Sequence, residues 1–149
     1  MKKFYFIALF VSLGLLAEAQ IKDPVKWTYT SRKKSNAVYE LVITATLPNP
    51  WHIYSMNTGS GGPVPTEIKF VSNPLVSLDG KLKENGKLKQ EYDKNFETIV
   101  KYFANKVEYV QQIKLKVSTK TSINGTVVYM VCDDTQCLPP TKKSFSISL

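Results

Sequence analysis

The sequence has 149 residues, with 20 lysines and arginines against 12 aspartates and glutamates, and a formal net charge of +8. Arg32 is its only arginine, and the lysines are spread along the chain. Proteins that bind nucleic acids favour arginine for bidentate contacts and usually combine it with exposed aromatic residues. The composition therefore argues against nucleic-acid binding. It indicates a solvated, lysine-rich surface with weak attraction to anionic partners or membrane surfaces.

The first residues have the features of a signal peptide. Lys2 and Lys3 give a basic start, an apolar run of 14 residues covers positions 4–17, and positions 17–19 read Ala-Glu-Ala, a form that signal peptidase cleaves. The run is short for a membrane span, and nothing later approaches about 18 apolar residues. We therefore expect cleavage after Ala19 and a periplasmic or secreted mature chain without a transmembrane segment. An uncleaved membrane anchor is the alternative.

Cleavage after Ala19 leaves residues 20–149, enough for a single domain that buries roughly two-thirds of its unfolded surface. Such a domain does not depend on a disulfide for its stability. Cys132 and Cys137 are the only cysteines, and closing so short a loop contributes about 2 kcal/mol to a net stability of roughly 5–15 kcal/mol. Because an exported compartment is oxidising, we expect the pair to form a disulfide that can be reduced without unfolding the domain.

Apolar and polar residues alternate with a period of two along most of the mature chain, which is typical of strands with one buried face. In the clearest case, the odd positions of 39–47 are Tyr, Leu, Ile, Ala and Leu. No segment carries apolar side chains at the 3.6-residue period of a helix. The predicted strands are 25–30, 39–47, 51–56, 67–71, 98–103, 107–117, 126–131 and 144–149.

Turn-forming residues separate the predicted strands. Two of these signals are Asn-Gly pairs, Asn85-Gly86 and Asn124-Gly125, and this pair is favoured in tight hairpins. Asn124-Gly125-Thr126 also matches a glycosylation sequon, but we interpret it as a turn. The other signals lie at 48–50, 59–65 and 104–106. About seven to nine short strands joined by turns predict an all-β fold, an antiparallel β-sandwich of the immunoglobulin-like kind.

Neither a metal nor a cofactor is expected. His52 is the only histidine, so a metal site or a Cys–His nucleophile would have to be built from it and the cysteines alone. We interpret it as a surface histidine or one satisfied within a strand. Asp133 and Asp134 lack the ligand spacing of a calcium loop. The common hydrolase, metalloprotease and nucleotide-binding motifs are also missing, which disfavours a self-contained hydrolase or transferase.

The cysteine pair is the main chemical feature of the chain. Four residues separate Cys132 from Cys137, which is neither the spacing of a thioredoxin-like CxxC nor a zinc arrangement. On spacing alone, the pair is either redox-active or a static staple between a strand end and the following loop. Asp133 and Asp134 place negative charge beside Cys132, which disfavours its thiolate. We expect a thiol that reacts mainly with a docked partner that excludes water.

Apolar residues flank the pair and predict a rim on which such a partner docks. The two prolines of this rim have no amide hydrogen and stiffen the exit of the loop. The rim residues are Val131, Leu138, Pro139 and Pro140.

Three segments resemble the N-terminal periplasmic domain of the thiol:disulfide interchange protein DsbD. The first is Cys132, Cys137 and the Leu138-Pro139-Pro140-Thr141-Lys142 that follows them after a strand. The second is Pro50-Trp51-His52-Ile53-Tyr54 after a long strand, and the third is Glu91-Tyr92-Asp93-Lys94 before another strand. The resemblance covers nearly all of the mature chain, and the segment with the cysteines and prolines is its most specific part.

The resemblance implies an immunoglobulin-like sandwich with an active-site hairpin that carries a redox cysteine pair. An aromatic residue of a nearby cap loop shields the pair in this family. By position Tyr92 would be that cap, with Phe96 as the alternative, and Tyr54 would stand beside the pair. The resemblance assigns Cys137 to the client and Cys132 to the resolving step, while the reverse assignment stays open.

The same resemblance implies that electrons arrive through a membrane domain and pass to periplasmic disulfide isomerases and cytochrome-maturation thioredoxins. Two departures matter. Better-known members space the cysteines by five residues rather than four, and this chain stops at Leu149 without a membrane domain or a thioredoxin domain. Its reductant is therefore expected to be another protein.

Two functions remain open on the sequence. The first is an exported thiol–disulfide exchange protein, a possible thiol:disulfide oxidoreductase of the protein-disulfide reductase type. It would relay electrons between a membrane or thioredoxin-like reductant and extracytoplasmic disulfide partners through Cys132 and Cys137. The second is a non-catalytic immunoglobulin-like module that binds a protein or a glycan and carries a structural disulfide.

Overall fold

The computed structural model describes residues 23–149, so the predicted signal peptide and its cleavage site after Ala19 lie outside the described residues. Within this range the regular secondary structure is entirely β. The strands are β1 (Lys26–Lys33), β2 (Val38–Thr46), β3 (His52–Tyr54), β4 (Glu67–Phe70), β5 (Val76–Asp93), β6 (Thr98–Leu115), β7 (Ser122–Tyr129), β8 (Val131–Cys132) and β9 (Thr141–Ser148).

The strands form two antiparallel sheets. The larger sheet has the order β1-β2-β6-β3-β8, and β5 also pairs with β6; the smaller sheet has the order β4-β7-β9. Alternate residues of β2 face the space between the sheets, where Leu41, Ile43 and Ala45 are fully buried. The predicted antiparallel β-sandwich is confirmed.

Strand β6 is the longest shared element of the larger sheet. Its first part pairs with β3, from Tyr102 to Ala104, and its second part pairs with β2, from Lys106 to Lys114. Strand β5 runs along most of its other edge. One continuous strand therefore connects the part of the sheet that holds β3 and β8 to the part that holds β1 and β2.

The main core lies between the two sheets and is rich in aromatic rings. The ring of Trp27 lies 5.0 Å from that of Tyr129, and the ring of Tyr29 lies 5.2 Å from that of Phe145, measured between centroids. These pairs bring residues of β1 against β7 and β9, so they bind the larger sheet to the smaller one. Such pairs contribute beyond the apolar area that they bury.

Both Asn-Gly turn predictions are wrong, because each glycine lies inside a strand. Gly125 lies in the middle of β7, where a Cβ atom would come within 2.6 Å of the Lys69 carbonyl oxygen and still closer to the Phe145 ring. Gly86 lies in β5 beside a register shift, where a Cβ atom would meet Phe103 at 2.9 Å. Both glycines are explained by the close approach of an aromatic ring rather than by a reversal of the chain.

The turn predicted at 104–106 is also wrong, since these residues continue β6. Asn105 has a φ of 66°, a conformation that asparagine tolerates better than most residues. Its carbonyl accepts a hydrogen bond of 2.8 Å from the Leu47 N–H. The local irregularity therefore marks the point at which β6 changes its neighbour from β3 to β2. The turn at 48–50 and the irregular loop at 59–65 agree with the prediction.

Candidate functional site

The disulfide between Cys132 and Cys137 closes a narrow hairpin at the end of β8. Two backbone hydrogen bonds of 2.9 Å define it: the Asp133 N–H donates to the Gln136 carbonyl, and the Leu138 N–H donates to the Val131 carbonyl. Because β8 pairs with β3, the hairpin extends from the larger sheet. The sheet therefore holds one side of the disulfide in place, as an active-site hairpin requires.

Asp133 organises the tip of this hairpin. Its Oδ1 accepts hydrogen bonds from the Thr135 N–H, the Thr135 hydroxyl and the Gln136 N–H, all within 2.9 Å. The bond from the Thr135 backbone is the largest contribution, and together these bonds lower the pKa of Asp133 to about 2. Asp133 is therefore ionised at any physiological pH. Asp134 lies beside it and is exposed. Both put negative charge next to the disulfide.

The two cysteines differ in exposure. Cys132 is 2% exposed, whereas Cys137 is exposed on the outer arm of the hairpin. A thiolate that attacks a disulfide must reach one sulfur along the S–S axis. Since Cys137 is the exposed residue of the pair, a partner reaches the disulfide from its side.

The predicted rim residues are not equally accessible. Pro139 and Pro140 are exposed and Leu138 is half-buried, so these three lie on the surface beside Cys137. Val131 is only 3% exposed and packs into the main core. The structure therefore leaves Leu138, Pro139 and Pro140 available to a partner and does not bring Val131 to the surface.

Tyr54 lies directly against the disulfide. Its hydroxyl donates a hydrogen bond of 3.0 Å to the Cys132 Sγ, and its side chain is fully buried. Burial is the main cause that raises the pKa of the Tyr54 hydroxyl far above its usual range, and the charges of Asp93 and Glu91 add to it. The hydroxyl therefore stays protonated and keeps a donor directed at this sulfur.

His52, two residues earlier on β3, joins the same cluster. Its Nε2 lies 3.4 Å from the Tyr54 hydroxyl oxygen, and its ring packs 4.6 Å from that of Tyr102. Burial lowers the pKa of His52, although a hydrogen bond to Pro50 and nearby carboxylates oppose this shift. Sequence reasoning did not assign His52 to the site. Residues i and i+2 of a strand share a face, so its spacing from Tyr54 was the signal that could have found it.

The two candidate cap residues occupy different surroundings. Phe96 lies at the tip of the hairpin between β5 and β6, where its ring is 6.2 Å from that of Tyr54. It packs against the buried cluster that contains Cys132 and Tyr54. Tyr92 lies near the end of β5 and is 62% exposed. The structure thus brings Phe96 to the cysteine site and leaves the side chain of Tyr92 largely in solvent.

Glu84 holds the loop that follows β3, a role that no pattern in the sequence predicts. Its carboxylate accepts hydrogen bonds of 2.6 Å from the Ser55 hydroxyl and the Met56 N–H, and one of 2.9 Å from the Asn57 side chain. Next to them, the Thr66 hydroxyl donates to the Tyr54 carbonyl at 2.6 Å. These bonds fix the backbone at Tyr54, and so they fix the position of its hydroxyl against the sulfur.

Two further features bear on what the site can do. In residues 23–149, no three side chains of the His, Cys, Asp and Glu types come together in a way that suits a metal ion. The same part of the chain contains no helix of the length and apolarity needed to cross a membrane. The chemistry that the described residues offer at this site is that of the disulfide and its tyrosine, histidine and carboxylate neighbours.

Comparison with solved structures relates the fold to known domains. The N-terminal domain of Neisseria meningitidis DsbD in its reduced form matches with a TM-score of 0.52 and 11% identity, over 83% of this chain and 85% of that chain. The GAE domain of yeast GGA1 matches with a TM-score of 0.49 and 12% identity, over 86% and 92%. A collagen-binding domain from a Staphylococcus aureus adhesin gives 0.43 and 9%, over 86% and 99%.

The likeness to the Neisseria domain confirms the immunoglobulin-like sandwich that the sequence predicts. No curated protein matches the chain. The family model described as "Thiol:disulfide interchange protein DsbD, N-terminal" matches residues 17–149, nearly the whole sequence, and thiol–disulfide exchange is the chemistry of that family. The resemblance stated from the cysteine, proline and aromatic segments is thus confirmed, and the chain belongs to the family of the DsbD N-terminal domain.

Proposed function

We propose that this protein is an exported thiol–disulfide exchange protein that relays electrons between a membrane or thioredoxin-like reductant and extracytoplasmic disulfide partners. The observation that carries the proposal is the asymmetry of the pair: Cys137 is exposed, whereas Cys132 is buried under the Tyr54 hydroxyl. A purely structural staple needs no such difference between its two sulfurs. An exchange site needs one sulfur for the partner and one held for the resolving step.

Reduction of the disulfide begins at Cys137. A thiolate of the reductant attacks the Cys137 Sγ, the bond to Cys132 breaks, and its electron pair leaves on the Cys132 sulfur, where the Tyr54 hydroxyl donates a hydrogen bond to it. The second thiolate of the reductant then attacks the reductant sulfur of the mixed disulfide. This forms the disulfide of the reductant and releases the Cys137 thiolate. Two electrons have entered the pair, and both sulfurs can take up protons.

Electrons pass from the reduced pair to a client disulfide through the same two sulfurs, in the reverse direction. The Cys137 thiolate attacks a sulfur of the client disulfide, and the other client sulfur leaves as a thiolate. Cys132 then attacks the Cys137 Sγ, restores the disulfide and releases the second client thiolate. In this assignment Cys137 meets the client and Cys132 resolves the intermediate.

The surroundings of the pair suit a carrier with selected partners. Asp133 and Asp134 put negative charge beside the sulfurs and Cys132 is buried, and both conditions disfavour a free thiolate. We assign the shielding cap to Phe96, because it packs against the cluster of Cys132 and Tyr54. Leu138, Pro139 and Pro140 form the apolar rim on which a thioredoxin-like partner docks. A partner that covers this rim excludes water and favours exchange.

Trapping of the mixed disulfide tests the proposal. Cys132→Ala and Cys137→Ala are expressed separately in the exported compartment of the native host, and adducts are identified after gel separation with and without reductant. We expect Cys132→Ala, which keeps the exposed Cys137, to accumulate a discrete reducible adduct with a thioredoxin-like protein or a membrane thiol reductant. The adduct identifies the partner, and the variant that forms it identifies the attacking cysteine.

The double variant Cys132→Ala/Cys137→Ala is the control, because it retains the surface of the protein but has no cysteine at this site. If neither single variant forms an adduct above this control, while the oxidised wild-type protein still binds a partner, the exchange function fails. The non-catalytic binding module with a structural disulfide then replaces it. An adduct only with Cys137→Ala keeps the exchange function and reverses the roles of the two cysteines.

A further inference from the structure

His52, Tyr54 and Cys132 form a continuous polar chain beside the disulfide. The Tyr54 hydroxyl lies 3.0 Å from the Cys132 Sγ and 3.4 Å from the His52 Nε2. His52 and Tyr54 share one face of β3, and His52 is paired with Cys132 in the neighbouring strand β8. A proton can therefore move between the sulfur and the imidazole through a single intervening hydroxyl.

The imidazole also has a partner on the backbone, and from this partner we assign its tautomer. It hydrogen-bonds to the backbone at Pro50, and since proline has no N–H, the ring is the donor and the carbonyl the acceptor. Nε2 lies toward Tyr54, so we assign the bond to Pro50 to the Nδ1–H. In the neutral ring, Nε2 then carries a lone pair directed at the Tyr54 hydroxyl. This arrangement is the one that a proton acceptor requires.

We propose that Tyr54 and His52 carry the proton of Cys132 away when this thiol becomes the resolving nucleophile, an inference that rests on the proposed exchange function. In the mixed disulfide, the Cys132 S–H donates to the Tyr54 oxygen while the Tyr54 O–H donates to the His52 Nε2. The two protons shift together and give a Cys132 thiolate, an intact tyrosine and an imidazolium. The thiolate attacks the Cys137 Sγ, the client thiolate leaves, and the imidazolium returns its proton to solvent or to that thiolate.

The environments of the two side chains fit these roles. Burial raises the pKa of Tyr54 far above its usual range, so the tyrosine passes a proton on without remaining a tyrosinate. Burial lowers the pKa of His52, so its ring is neutral and able to accept a proton at pH 7. Tyr54 touches the reacting sulfur and is the catalytic residue, whereas His52 acts through Tyr54 and is a positioning residue.

The charges that face His52 are mainly negative. They favour the imidazolium at the moment when it forms and pair it with the opposite charge of the thiolate. Tyr102 packs on the ring of His52, and burial with a hydrogen bond to Glu91 raises the pKa of Tyr102 to about 12, so it adds no charge. The Lys89 ammonium lies over the ring of Tyr102, at 5.7 Å from its centroid. The carboxylates are Glu91 and Asp93 of β5 and Asp134 of the hairpin.

The resolving step can be followed separately from the first attack. The reduced full-length mature protein is mixed with an aromatic disulfide whose released thiolate absorbs visible light. The first phase reports the attack by Cys137, and the second phase reports the attack by Cys132 on the mixed disulfide. Both phases are recorded from about pH 5 to pH 9 for the wild type, His52→Gln and Tyr54→Phe, and circular dichroism verifies that each variant is folded.

In the wild type we expect a second phase whose rate changes little with pH above the pKa of His52. Above that pKa the imidazole is neutral, so the relay and not the solvent sets the amount of Cys132 thiolate. In His52→Gln and Tyr54→Phe, we expect a second phase slower by about tenfold near pH 7, at the low end of general-base effects. Its rate should rise about tenfold per pH unit, as expected when solvent alone removes the proton. The first phase should be unchanged in both variants.

Tyr102→Phe is the matched control, because it removes a hydroxyl from the same cluster that bonds to Glu91 and leaves the relay intact. Its second phase should follow the wild type. The inference is overturned if His52→Gln and Tyr54→Phe keep the wild-type rate and pH profile, or if Tyr102→Phe reproduces their loss. If the wild type exchanges with protein disulfides and the variants behave like it, the relay alone is refuted. If the wild type does not exchange with protein disulfides at all, the proposed function is refuted as well.

Discussion

Two buried tyrosines show how the main core differs from the cysteine site. The Tyr129 hydroxyl donates a hydrogen bond of 2.8 Å to Asp23, which also pairs with Lys143. The Tyr54 hydroxyl donates its hydrogen bond to the Cys132 sulfur. Both satisfy a buried polar group, which is a general requirement of folded proteins. Only the second has a partner whose bonding changes when electrons are transferred.

The same structural solution therefore has two consequences. In the main core, a tyrosine bonded to a carboxylate fixes one arrangement of the N-terminal segment against β7 and β9. At the cysteine site, a tyrosine bonded to a sulfur remains a suitable donor when that sulfur becomes a thiolate, because a charged acceptor strengthens the bond. Stability should therefore depend mainly on the first region and thiol reactivity on the second.

The largest expected effect is on stability and concerns Ile43, which is fully buried in the main core. Ile43→Ala should lower the free energy of unfolding by about 3 kcal/mol, since it removes buried methyl and methylene groups and leaves a cavity. Reducing the disulfide should cost at most about 2 kcal/mol, because the loop that it closes is short. Urea unfolding of both proteins, with and without reductant, measures the difference.

Reduced wild-type protein should also keep its far-ultraviolet circular dichroism, and reoxidation should restore the disulfide. Unfolding upon reduction, or a larger loss of stability from reduction than from Ile43→Ala, would show that the disulfide is a structural staple. The main core would then not be the chief source of stability, and the cysteine site would contribute to stability as well as to reactivity.

The next effect is kinetic and separates the two candidate cap residues. Phe96→Ala should speed the reaction of the reduced pair with a small alkylating agent severalfold, because it removes a ring that packs against Cys132 and Tyr54. Tyr92→Ala serves as the matched variant and should react like the wild type, since Tyr92 is 62% exposed. Rapid-quench alkylation followed by mass spectrometry gives both rates. Equal rates for Phe96→Ala and the wild type would remove Phe96 from the site.

The smallest expected effect concerns Asp23 in the main core. Burial alone would raise the pKa of Asp23, but hydrogen bonds from Lys143, Tyr129 and the Val25 N–H outweigh it and lower the pKa below its ordinary value. A carboxyl with a lowered folded-state pKa stabilises the fold above its unfolded pKa of about 4. This stabilisation is lost as the pH falls through the folded value. Asp23→Asn should therefore cost about 1 kcal/mol at pH 7, because partial solvation weakens the ion pair.

At a pH below the folded pKa, wild type and Asp23→Asn should become nearly equal in stability, and urea unfolding at pH 7 and at about pH 2 tests this. Glu67→Gln is the control, because Glu67 forms an exposed ion pair with Lys69 and should change stability little at either pH. A loss for Asp23→Asn that is equally large at both pH values would assign the effect to packing of the amide rather than to charge.

The sequence predicted those strands that bury one face. In β2 the apolar residues recur every second position, and the structure buries Leu41, Ile43 and Ala45 as expected. Strand β5 was not predicted, because its 18 residues are mostly exposed and carry no such alternation. Its conformation follows from backbone pairing with β6, which no local pattern of side chains reveals. The glycines at 86 and 125 were misread for the same reason, since the rings that approach them come from residues distant in sequence.

At the site, the sequence supplied the cysteine pair from its spacing, and Tyr54 from the resemblance. The exposure of Cys137 and the burial of Cys132 depend on how the hairpin leaves the sheet, so they required the structure. The sequence predicts His52 to be a surface histidine or one satisfied within a strand, because a single histidine carries little signal by itself. Its contact with Tyr54 arises from strand geometry, and its closeness to Cys132 arises from the pairing of β3 with β8.

Strand β5 also has a consequence for the behaviour of the protein at high concentration. Among the residues that the structure describes, β5 pairs only with β6, so its other edge presents backbone groups that a second chain could extend into a larger sheet. Exposed lysines occur along this strand at Lys81, Lys83, Lys87 and Lys89. Charged edge residues, lysine above all, oppose association between edges. The basic charge of this chain does not indicate a ligand. On β5 it opposes aggregation of the sandwich through its longest edge.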